Sequence, residues 1–173
     1  MGVSFIARQT KVNLKRFDSE GTGHIGVVVG LESLHPGVRE TALELEKQYL
    51  DLVANLEKER KCVFRKQRPL YHRWRMSKLL NDFYRALDDK EVKVESRLMA
   101  ITRDTKIPRT EVKYLVKFSR IYPRFDDIKE NLTWSLYRAL LDIPDKRQRE
   151  RAETLALQGK IRTDYEVRHV PFD

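Results

Sequence analysis

Cysteine is almost absent from this sequence: Cys62 is the single one among 173 residues. No internal disulfide can form, so packing has to hold the fold and a reducing compartment suits the chain. Long apolar runs are missing as well. None approaches the roughly 20 residues that span a bilayer. The opening residues 1–5 lack the charged lead into an apolar stretch that a secretory signal needs. These absences point to an intracellular protein, cytoplasmic or nucleoid-associated.

Histidine is scarce, and His24, His35, His72 and His169 show no metal-ligand spacing among themselves or with Cys62. Gly21, Gly23, Gly26 and Gly30 are followed by no Gly-Lys-Ser/Thr, so they read as turn glycines rather than a phosphate loop. Asp88 and Asp89, followed by Glu91 and Lys93, faintly match a metal-dependent nuclease signature. That chemistry needs a strand inside an α/β core, whereas this segment reads as a helix boundary. No metal and no cofactor is expected, and the chain is not expected to be an enzyme.

Charge is what the sequence has in excess. Lys and Arg outnumber Asp and Glu, 35 to 26, for a net charge of +9. The excess is concentrated. Residues 58–78 hold nine Lys or Arg against Glu59, net +8, and residues 103–124 hold seven against two acids, net +5. Residues 35–57 and 125–145 each sum to −3. Basic blocks between acidic ones suggest a positive face, and such a face attracts polyanions by releasing their condensed counterions.

Residues 1–34 carry Gly-bounded, β-branched segments that read as a short hairpin or a flexible arm. From Pro36 the pattern predicts a long helix to Phe64. Its seam of Val38, Ala42, Leu45, Tyr49, Leu52 and Leu56 suits a helix partner, in this chain or in a second copy forming a homodimer. Further helices are predicted over 71–87, with Trp74, Leu79, Leu80, Phe83, Tyr84 and Leu87 inward, and over 92–104, with Val94, Leu98 and Ile101 inward. Another runs over 110–122, closed by Pro123. Three more follow: one opened by Thr133 and running to Leu141, one from Asp145 to Gly159, and a short one over 163–169. The domain reading is an arm at 1–34, a long helix at 35–70 and a helical domain at 71–173.

The segment from Ile101 to Leu115 fits a helix-turn-helix. Ile101, Ile107, Val112 and Leu115 take the apolar positions, Thr110 suits an N-cap, and Arg109 and Thr110 stand where base edges are read. Arg109, Lys113, Lys117 and Arg120 lie away from the apolar side, with Lys106 in the turn. Two residues depart from the pattern. An apolar residue is common where Thr105 stands, and a glycine where Lys106 stands.

Residues 107–167 also resemble a helical module found beside restriction-like nuclease domains. More loosely, they resemble the helix-turn-helix region of ParB-type plasmid-partition proteins. The resemblance rests on Val112–Pro123 (VKYLVKFSRIYP), Leu132–Leu141 (LTWSLYRALL), the link at Ile143-Pro144-Asp145 and the Arg-rich helix ending in Gly159. It implies DNA binding. Neither a nuclease half nor a ParB-type nucleotide-binding segment is recognisable.

The expected fold is mainly α: a helical bundle containing a helix-turn-helix, with a short N-terminal β-hairpin or flexible arm. The expected function is binding of double-stranded DNA, with 110–122 as recognition helix. A second patch, Lys61, Arg65, Lys66, Arg68, Arg73 and Arg75, would follow phosphates, with Phe64, Tyr71 and Trp74 interleaved as core or, where exposed, able to stack on a base. Trp134 and Tyr137 are expected to pack. RNA is the second candidate ligand, and the alternative function is a non-enzymatic basic subunit of an RNA–protein or protein assembly.

Overall fold

The computed structural model describes the backbone of residues 11–12, 14–19, 22–27, 36–66, 68–89, 93–94 and 97–171, with side chains at 40, 43–66, 68–89 and 98–171. Among these the chain is mainly helical: α1 (Pro36–Phe64), α2 (Pro69–Asp89), α3 (Arg97–Thr105), α4 (Arg109–Ile121), α5 (Trp134–Leu141), α6 (Lys146–Leu157) and α7 (Asp164–Arg168). Four short strands are β1 (Lys11–Val12), β2 (Leu14–Ser19), β3 (Thr22–Val27) and β4 (Lys93–Val94). β2 pairs antiparallel with β3, Leu14 opposite Val27, and β1 pairs parallel with β4. The arm-or-hairpin expectation concerns residues that lie largely outside the described ones. No helix among the described residues is long and apolar enough to cross a membrane.

One helix is shorter than its pattern predicts. α3 begins at Arg97, and Val94, expected on its inner face, lies in β4. The residues from Glu91 to Glu95 alternate charged and β-branched, a two-residue period that suits a strand better than a helix.

The described chain forms two compact units, whose boundaries fall inside α1, α2 and α4. The first comprises residues 1–58 and 79–112. There α1 turns Leu45, Tyr49, Leu52 and Leu56 fully inward, and Leu80, Phe83, Tyr84 and Leu87 of α2 are buried. The Tyr49 and Phe83 rings meet at 5.7 Å. Each Leu so buried contributes about 2 kcal/mol relative to exposure. These four seam residues are therefore already used within the chain and offer no surface to a second copy. Of the two readings of the seam, these four residues follow the one within the chain; the side chains of Val38 and Ala42 lie outside the described residues. Tyr49 donates to Asp104 at 2.7 Å, and Arg103 grips the same carboxylate with two bonds, 2.7 and 3.0 Å. Asp104, almost wholly buried, thus has both carboxylate oxygens paired. Burial beside this acid pushes the Tyr49 phenol upward, so it remains a donor.

The second unit comprises residues 59–78 and 113–173. Its core gathers Leu70, Phe118, Tyr122, Leu136, Tyr137, Leu140, Ala152 and Val167. Tyr137 and Trp134 both lie against Phe118, at 5.2 and 5.1 Å, as the packing expectation had them. Local capping sets the helix ends. Thr133 accepts from the Leu136 amide and Asp145 from that of Gln148, while Thr163 and Glu166 form a reciprocal capping box. Gly159 adopts a left-handed φ of 70°. Its amide reaches Ala156 and that of Lys160 reaches Leu155, which closes α6. The Ser77 hydroxyl of α2 stands in the α4 hydrogen-bond ladder, donating to the Leu115 carbonyl and accepting from the Ser119 amide.

Candidate nucleic-acid interface

The turn from α3 to α4 is three residues long, 106–108. Thr105 makes it. Its hydroxyl donates to the Ile101 carbonyl at 2.6 Å and accepts from the Ile107 amide at 3.3 Å, tying the last turn of α3 to the middle residue of the turn. The side chain is wholly buried, so an apolar residue could fill its volume but would leave the Ile107 amide unpaired. Lys106 takes a left-handed φ of 57°, the conformation for which glycine is usual at such a turn. Both departures from the sequence pattern are therefore accommodated.

α4 starts one residue earlier than expected. The Val112 amide donates to the Pro108 carbonyl at 3.0 Å, so Pro108 caps the helix and Arg109 is its first residue. Thr110 consequently sits inside the first turn and does not cap it. Proline fits the cap because this position needs only a carbonyl, and its ring disfavours helix at Ile107, which separates α4 from α3. Ile101, Ile107 and Val112 are buried, and so is Leu115 further along.

The other side of α4 is open. Arg109, Thr110, Lys113, Lys117 and Arg120 are all exposed, as is Lys106 in the turn. Spacings of four, four and three keep the four α4 cations on one helical face. They are not equivalent. Lys117 pairs with Asp142 at 3.6 Å, and Asp142 also accepts from the Tyr114 hydroxyl at 2.8 Å and meets Arg168 at 3.7 Å. Burial and this acid together raise the Tyr114 phenol, the hydrogen bond being the larger cause. Arg109 stands where the helix dipole disfavours a cation.

No family model, curated protein or solved structure matches the chain.

The second basic block divides into two groups. Arg68, Arg73 and Arg75 are engaged within the unit. Arg68 pairs with Glu130 at 2.9 Å and lies over the Tyr71 and Phe125 rings, at 4.9 and 5.4 Å. Arg73 lies over Trp134 at 5.2 Å. Arg75 meets Glu59 at 3.0 Å, and the other oxygen of that buried carboxylate is 2.5 Å from His72. Lys61, Arg65 and Lys66, by contrast, are exposed at the end of α1. Lys66 and Arg68, between α1 and α2, take left-handed φ values of 55° and 37°. Among the aromatics expected as core here, Tyr71 and Trp74 are half-buried and the Trp74 indole donates to the Tyr122 carbonyl at 3.0 Å. Phe64 is not core: 74% of it faces solvent. Helical spacing alone could not tell these apart, because Phe64 occupies the last residue of its helix. Among the described residues no group of three or more His, Cys, Asp or Glu could hold a metal ion.

Proposed function

We propose that this protein binds double-stranded DNA, with α4 as a major-groove recognition helix in a helix-turn-helix. The observation that carries the proposal is the outer face of α4, where exposed cations at helical spacing follow a short turn built by Thr105. Arg109 and Thr110 begin the helix and so take the positions from which base edges are read. Lys113 and Arg120 follow along the same face as phosphate contacts, and Lys106 precedes them in the turn. Lys61, Arg65 and Lys66 would supply a second, sequence-independent contact to phosphates.

The placement of Arg109 favours a ligand over a structural role. A cation at a helix N-terminus opposes the dipole by roughly 0.3–1 kcal/mol, so its removal should stabilise the fold slightly. Replacing Arg109 with Ala is expected to raise the unfolding free energy by that order while weakening binding to a preferred duplex by about 1–3 kcal/mol. Selection from random duplexes, repeated with Arg109→Ala and Lys113→Ala, tests the assignment. Arg109→Ala should relax preference at one position of the site, and Lys113→Ala should weaken all duplexes alike. Unchanged duplex binding in both variants would remove α4 from the interface.

A further inference from the structure

We infer that the C-terminal end of α1 holds an unpaired base, with Phe64 as its stacking platform. Phe64 ends α1 with 74% of its surface in solvent, although the aromatics nearby pack closely. Phe125, for instance, meets the rings of Tyr71 and Trp74 edge-on at 5.1 and 5.9 Å. One face of Phe64 is covered by the Arg60 guanidinium, 5.7 Å from the ring centre. The residues exposed beside it are Lys61, Arg65 and Lys66. Cations near a helix C-terminus are accounted for by the dipole, but the dipole gives no reason for a bare aromatic ring among them.

The composition of the patch selects the partner. A protein docking site needs a desolvated apolar centre of many side chains, and a membrane contact needs several apolar groups to enter the acyl boundary. Here a single flat ring is surrounded by positive charge. An unpaired nucleotide matches it, because it offers one π face to stack and phosphates on either side for the cations. Lys66 holds a left-handed φ of 55°, a conformation that a side-chain-bearing residue adopts at some cost. In duplex DNA such a base occurs at a gap, a flap or a melted site. The inference deepens the DNA-binding reading by naming a duplex with a local single-stranded interruption as substrate, and rests on that reading only for the duplex part.

Fluorescence anisotropy of the full chain with two probes tests it: a blunt duplex, and a duplex of equal length with a short single-stranded gap. The gapped probe is expected to bind about tenfold more tightly, the scale of one stacked base. F64A should erase that preference and leave blunt-duplex affinity unchanged, and F64W should retain it. The fold should tolerate these changes because the ring is exposed. Equal affinity of the wild type for both probes would overturn the inference, as would equal weakening of both by F64A. So would F64A abolishing binding to phosphatidylserine-containing vesicles with the gapped preference intact. A wild type that ignores blunt duplex but binds the gapped probe through Phe64 would instead sink the α4 reading and keep the Phe64 site.

Discussion

Thr105 shows how one hydroxyl can substitute for a sequence rule. Where an apolar residue is usual, it supplies the same buried volume plus two hydrogen bonds that close the turn. Thr105→Val keeps the volume and strands the Ile107 amide, so it should destabilise the protein by about 1–3 kcal/mol. Urea unfolding checks this, and an unchanged midpoint would mean the turn does not depend on the hydroxyl. Glu153 is the opposite case, a residue whose charge is a burden. Burial raises its pKa above the ordinary carboxylate value, against the smaller lowering effects of the Tyr122 hydroxyl, Lys129 and Arg149. A raised folded-state pKa adds stability at low pH, where the group is protonated in both states, and that stability is lost as pH rises through the folded pKa. Glu153→Gln should therefore unfold at higher urea than the wild type at neutral pH, with the difference shrinking below about pH 4. An equal difference at both pH values would contradict this.

At the scale of elements, α4 serves two requirements. Its inner face is buried and its outer face is cationic, yet Asp142 at the end of α5 draws Lys117 away from that outer face. Removing the acid's charge should release Lys117 to meet a phosphate. Asp142→Asn is accordingly expected to tighten duplex binding and to steepen its salt dependence by about one phosphate contact. A variant that binds as the wild type does would show that Lys117 lies outside the interface. The helices and their ends were largely legible from sequence, because the determinants are local: Pro36 opening α1, Thr133 as a cap, Gly159 as a stop. The misplaced cap at Thr110 has an equally local cause, since the carbonyl of Pro108 had already begun the helix. Long-range features were not legible. Nothing in the chain order announces that Asp142 gathers Tyr114, Lys117 and Arg168, that Ser77 enters the α4 ladder, or that Phe64 is left in solvent while Tyr71 and Trp74 pack.

For the whole molecule, the two compact units are not sequential, and no linker marks boundaries that fall inside helices. Charge organisation was easier to read. The blocks at 58–78 and 103–124 stood out by composition, but the structure sorts their members: Arg68, Arg73 and Arg75 are occupied by internal partners, whereas Lys61, Arg65, Lys66, Arg109 and Lys113 face solvent. A net charge of +9 on a chain with these exposed faces makes salt the natural probe of the account. The measurement is the affinity for random-sequence duplex DNA across a salt series, for the wild type and the Arg109→Ala/Lys113→Ala double variant. A log–log slope of several units is expected for the wild type, shallower by about one in the variant, since Lys113 is the phosphate contact it loses and each such contact carries roughly 0.9 of slope. No duplex binding at low salt, or the same slope in both proteins, would contradict it.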